Sequence, residues 1–80
     1  MNDSIVAIAI QKDSGDDVVL QGSPNTVREL IQPALSRLGV KPETYSDRVI
    51  VGLPSGAATH FLQSVKLLAN FQGVRLAIAV

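Results

Sequence analysis

The sequence predicts an α/β fold: a two-layer sandwich of order β-β-α-β-α-β, with a small mixed sheet carrying both helices on one face. Three observations predict it. Residues 48–80 read as strand, tight loop, helix, turn and strand, the pattern of a βαβ unit. Residues 5–10 and 18–20 are apolar runs joined by a polar turn, the pattern of a hairpin. Between these two blocks, Val27, Leu30, Ile31, Ala34, Leu35 and Leu38 recur at helical spacing. Eighty residues form one domain, spanning 1–80.

In residues 5–10, Val6, Ile8 and Ile10 point one way, and Ile5, Ala7 and Ala9 the other. Both faces are apolar, as in an interior strand. Residues 11–17 form the turn, where Gly15 can supply a positive φ. Asp13, Asp16 and Asp17 cluster there, but the spacing misses the EF-hand pattern and no Glu closes a calcium loop. A solvated turn is expected and no metal site. Residues 18–20 return antiparallel to the first strand, as a brief edge strand.

Gly22-Ser23-Pro24 opens the first helix: Ser23 can cap it, and Pro24 suits its first position, where a missing N–H costs nothing. Pro33 removes one backbone bond and crowds the carbonyl of Glu29, so a kink near Glu29 or a break before Pro33 is expected. Gly39 terminates the helix, and Val40 folds back on it. Residues 41–47 read as a polar connection. Tyr45 within it either packs its ring over the helix end or anchors a partner.

Residues 49–51 form the next strand. On the second helix, from residue 57 to about 71, Ala57, Ala58, Phe61, Leu62, Val65, Leu68 and Ala69 share the buried arc. His60, Ser64, Leu67 and Phe71 form a ridge beside it, placed either against the first helix or against another subunit. Gly73 ends the helix. In the last strand, residues 75–80, Leu76, Ile78 and Val80 alternate with Ala77 and Ala79. The strands at 18–20, 49–51 and 75–80 are expected to run parallel, with the first opposing them. The bulky aliphatic faces should meet the helices. The Ala-rich face then meets solvent, or a second sheet across a two-fold axis. The last strand, if an open edge, offers a second way for two copies to join.

The stretch Gly52-Leu53-Pro54-Ser55-Gly56 lies between a strand and a helix start, where parallel sheets place ligands. Ser55 either caps the helix or, with the N–H groups of Gly56 and Ala57, holds an anion. Ser23 and Arg28 echo it on the first helix. With the strands parallel, both helix starts would share one rim and one anion could meet both. No Walker lysine, G-x-G-x-x-G or G-x-S-x-G is present, and Ser55 has no evident base to activate it. His60, the only histidine, has no Cys, Asp or Glu within helical reach and reads as a ridge residue.

The totals narrow the function classes. Seven basic and seven acidic residues cancel and are interspersed, so no stripe exists to neutralise phosphates, and nucleic acid is not an expected partner. There is no cysteine, which removes disulfides and thiolate metal sites. No apolar run is long enough to span a bilayer, and the amino end lacks a secretory leader; a cytoplasmic protein with no membrane partner is expected. Nearly half of the residues are hydrophobic, almost all aliphatic, which is hard to bury in so short a chain alone. The expected protein is therefore a small non-catalytic protein-binding or regulatory homodimer without a cofactor. Its partners are a second copy of itself and another protein, and its interface residues are His60, Ser64, Leu67, Phe71 and Tyr45. The alternative is a small-ligand or anion-binding domain, or a minor enzyme subunit, using the helix starts after residues 22 and 54 through Ser23, Arg28, Ser55, Gly56 and Ala57.

Overall fold

The structure, a computed structural model, describes residues 4–79. The elements are β1 (Ser4–Lys12), β2 (Gly15–Gln21), α1 (Pro24–Leu38), β3 (Glu43–Thr44), β4 (Arg48–Leu53), α2 (Ala58–Gln72) and β5 (Arg75–Ala79). One mixed five-stranded sheet, ordered β3-β4-β2-β1-β5, carries both helices, and a single hydrophobic core joins the two layers. The expected two-layer sandwich is the fold observed, with one strand more than the sequence suggested.

That extra strand changes the directions. β4 runs antiparallel to β2, with Gln21 beside Arg48 and Asp16 beside Leu53; β5 runs parallel to β1, with Ile5 beside Leu76. The expectation that 18–20, 49–51 and 75–80 run parallel is therefore corrected: β1, β4 and β5 share one direction, and β2 and β3 oppose them. The cause lies in residues 39–47. Instead of a passive link, the chain after α1 returns along the sheet and pairs as β3 with β4. One additional pass reverses the strand that follows. β4-α2-β5 remains a βαβ unit, but its strands are separated by β2 and β1.

Both helix ends are legible in their stop residues. At the end of α2, Gly73 adopts φ 73°, its N–H bonds the Asn70 carbonyl, and the Val74 N–H bonds that of Ala69 at 2.9 Å. This is a Schellman closure, in which the left-handed residue satisfies carbonyls the helix leaves unpaired. α1 runs through Pro33 without a break. Pro33 is exposed, so the lost N–H bond falls on the solvent side.

The faces of β1 are the reverse of expectation. Ile5 and Ala7 are buried in the core, whereas Val6 and Ile8 are only half-buried and Ile10 is 45% exposed on the opposite side. The large aliphatics of β1 thus point away from the helices. The hairpin dictates this. The two-residue turn Asp13-Ser14 pairs Ile8 with Val19 and Ala7 with Leu20, and directly paired residues share a face. In β2, Val18 and Leu20 are the buried set, so their partners Ala9 and Ala7 must face the helices as well. In β5, Leu76 and Ile78 follow Ile5 and Ala7 onto the helix side, as expected. Val80 lies outside the described residues.

Candidate functional site

The first candidate, the start of α2, is occupied by the protein itself. Asp16, 4% exposed, directs Oδ2 to the backbone N–H groups of Gly56 at 2.9 Å and Ala58 at 3.4 Å. Its carboxylate thus accepts from Ala58, a donor that the helix leaves unpaired at its amino end, and from Gly56 in the turn just before it, and sits against the positive end of the dipole. Ala57 holds the N-cap position and no side chain of the loop itself caps the helix, so Ser55 is not the cap; Asp16 substitutes for it from β2. Gly15 makes this approach possible, since a Cβ there would collide with the carbonyl oxygen of Leu53.

Ser23 and Arg28 are at the other end of the sheet. α1 begins where β2 ends, beside Arg48; α2 begins where β4 ends, beside Asp16. The helices are antiparallel, and the expectation of one shared rim fails because β2 and β4 run in opposite directions. Ser23 occupies the N-cap position without a side-chain cap bond, and Arg28 is exposed beside Asn25, Glu29 and Gln32. No single anion reaches Arg28 and Gly56 together.

Three of the four ridge residues on α2 line one groove. Ser64, Leu67 and Phe71, with Leu68, face Pro33, Ala34 and Arg37 of α1 across a groove of about 480 Å³. α1 does not cover the ridge: Leu67 is 71% and Phe71 91% exposed. Among the described residues Arg37, at the groove wall, makes no ion pair. His60 is exposed on the first turns of α2, outside the groove lining.

Tyr45 does not join the ridge. It sits in the β3–β4 hairpin, where its hydroxyl donates to Glu43 Oε2 at 2.8 Å and the Arg48 guanidinium lies 5.4 Å over its ring. The hydrogen bond to Glu43, reinforced by that carboxylate's charge, raises the phenol above its ordinary 10.0. The ring packs on its own hairpin and not over a helix end.

The open face of the sheet is a surface that sequence reasoning assigned to small residues. One row of laterally paired positions runs Ile50, Val19, Ile8, Ala79 from β4 to β5, and none of the four is buried. Val6, Ala77 and Ile10 extend it. Polar groups frame it: Lys12 and Asp17 form an ion pair at 2.6 Å at one end, and Glu43, Tyr45 and Arg48 stand at the β3 margin. The bond to Asp17 raises the Lys12 ammonium above its ordinary 10.5. The acids of the first turn thus diverge, Asp16 inward to α2 and Asp17 outward to Lys12. The signal for this face was present in β2, where Asp17 and Gln21 flank Val19 and mark it as the outer side.

No family model matches the chain, and no curated protein and no solved structure gives a significant match. Among the described residues no group of acids and histidine could hold a metal ion, and no helix is long and apolar enough to cross a membrane.

Proposed function

We propose that this chain is a non-catalytic protein-binding or regulatory protein of the cytoplasm that acts as a homodimer, and that it contacts its other partner through the groove between α1 and α2. One observation carries the reading: Leu67 and Phe71, one helical turn apart, stand 71% and 91% exposed on the wall of an apolar groove. Neighbouring exposed apolar side chains of this size, with a polar rim, are what a protein contact uses. Arg37 sets the chemistry of the partner. An amphipathic segment that places an apolar side chain between Leu67 and Pro33 and a carboxylate near Arg37 fits it. Self-association is supported by the aliphatic surplus of an 80-residue chain.

Selection of displayed amphipathic peptides against the protein tests the groove. Binders rich in an apolar residue beside Asp or Glu, which lose binding on Leu67→Glu and on Arg37→Glu, are expected. Binders indifferent to both substitutions would overturn the assignment of the groove. Sedimentation equilibrium tests the dimer, and a monomer at every concentration would remove that part of the proposal.

A further inference from the structure

β5 is one margin of the sheet, and among the described residues no strand pairs with its outer side. The two margins are unlike. β3 is two residues long and follows Pro42, which blunts that edge; β5 is five residues long, has no proline and carries its one charge at Arg75, the first position. We infer that β5 pairs with β5 of a second copy, antiparallel, about a two-fold axis that passes beside Ala77 and stands perpendicular to the sheet. The two sheets then join into one, with the helices of both copies on the same side. The inference rests on the homodimer proposed above and assigns its interface.

The groups that β5 leaves open follow from the phase of the ladder. The Gly22 N–H donates to the Asp47 carbonyl, so the even-numbered residues of β2 turn their N–H and C=O to β4 and the odd-numbered ones turn theirs to β1. The bond from the Tyr45 N–H to the Arg48 carbonyl, on the far side of β4, has the same phase. The hairpin register then turns the backbone groups of Val6, Ile8 and Ile10 to β2, and those of Ile5 and Ala7 to β5. Ile5 lies opposite Leu76, and Ala7 opposite Ile78. In a parallel pair the bonds slant to the neighbours of the opposite residue, here Arg75, Ala77 and Ala79. Leu76 and Ile78 therefore aim N–H and C=O at the open margin. Ile78 is also 36% exposed although its side chain is on the helix side, so the margin is bare in its apolar row as well.

This margin is its own complement. With the axis beside Ala77, Leu76 lies opposite Ile78 of the other copy and exchanges both backbone bonds with it, and the symmetry repeats the exchange. Every outward group of Leu76 and Ile78 is then paired, and the two side chains extend the apolar row across the joint. An axis beside Leu76 would instead require the Val74 N–H, which already bonds the Ala69 carbonyl. Arg75 falls opposite Ala79 of the other copy and stays in water. The two Arg75 residues are about 14 Å apart, beyond the screening length of about 8–10 Å at ordinary salt, so their charges do not oppose the pairing. One strand from each copy covers less than the about 1,200–2,000 Å² of a standard interface, and a dimer that dissociates on dilution is expected.

Two readouts on the full chain test it: cross-linking through introduced cysteines, in a sequence that has none of its own, and sedimentation equilibrium with circular dichroism as the control for folding. Ala77 lies opposite Ala77 of the other copy as a non-hydrogen-bonded pair, with Cα atoms about 4.5 Å apart, inside the range a disulfide spans. Ala77→Cys should oxidise to a covalent dimer about tenfold or more faster than Arg75→Cys, whose copies are about 14 Å apart and out of reach. Ile78→Pro removes an outward N–H that the monomer does not use, so the variant should stay folded while its dimer weakens about tenfold or more. Leu67→Glu, on the helix layer, should dimerise as the wild type does. Equal rates for the two cysteine variants, a dimer unaffected by Ile78→Pro, or one lost in Leu67→Glu would overturn this interface while leaving self-association standing. If Ile78→Pro does not fold, the cysteine rates alone decide. A wild type monomeric at every concentration, with neither cysteine variant cross-linking, would overturn the interface and the homodimer together.

Discussion

Asp16 Oδ2 accepts the backbone N–H of Gly56 at 2.9 Å across 40 positions of sequence, so a side chain of β2 closes the head of α2. A buried carboxylate in this position acts as a cap supplied from another layer of the fold. Asp16→Ala should lower stability by about 1–3 kcal/mol in chemical denaturation, because it leaves the Gly56 and Ala58 N–H groups without their acceptor. Asp16→Asn, which keeps one acceptor oxygen, should lose less. Equal stability of all three proteins would show that the contact contributes nothing.

Gly15 is coupled to the same contact. Its φ of 151° and the close Leu53 carbonyl leave no room for a side chain. Gly15→Ala should cost more than about 1 kcal/mol. The double variant with Asp16→Ala should cost less than the sum of the two, since both disturb one approach of β2 to β4. Additive losses would separate the two residues.

The faces of β1 can be read by two alanines on one strand. Ile5, 1% exposed, sits in the core, and Ile10, 45% exposed, lies on the open face. Ile5→Ala should cost about 2–5 kcal/mol, and Ile10→Ala less than about 1 kcal/mol when measured at a concentration where the protein is monomeric. The opposite order would mean that the strand faces the other way.

Tyr45 gives a pH test. Its phenol is raised above 10.0 chiefly by the hydrogen bond it donates to Glu43. Because the folded value lies above the unfolded one, the stabilisation is fully present below pH 10.0 and is lost as pH rises through the folded value. Phenolate absorbance should therefore titrate above 10.0, and Glu43→Gln should move the midpoint down. A midpoint unchanged by that substitution would show the bond to be unimportant in solution.

Phe71 separates contact from stability. At 91% exposure it has little to lose on truncation, so Phe71→Ser should change unfolding free energy by no more than about 0.5 kcal/mol. A larger loss would mean that the side chain is covered in solution.

The helices were legible because their signals are local. Pro24, Gly39 and Gly73 bound them, and Val27, Leu30, Ile31, Phe61, Leu62 and Val65 give their buried stripes. β3 was not legible. Two residues after Pro42, without alternation, carry no strand signal, yet their pairing with β4 sets the direction of that strand. The contact of Asp16 with Gly56 was hidden by the same reversal, which brings the start of β2 to the end of β4. β1 was ambiguous because both its alternate sets are apolar, so period two alone cannot choose a side. The turn at Asp13-Ser14 and the polar flanks of Val19 contained the answer, which requires reading the hairpin as a unit. Of the site residues, Ser64, Leu67 and Phe71 were found from helical spacing and do meet at one groove, whereas Tyr45 and Arg28 lie apart from it.

The pairing of Ile5 with Leu76 sets the first described strand against the last. On the ribosome β1 emerges ahead of the other described strands and can zip to β2 once that has followed, but its other flank stays bare until synthesis has passed Gly73 and released β5. Every element from β1 to β5 must leave the exit tunnel before the sheet can be finished. Nascent chains stalled ahead of Arg75 would therefore carry an unsatisfied strand margin, the feature that chaperones and neighbouring nascent chains find first.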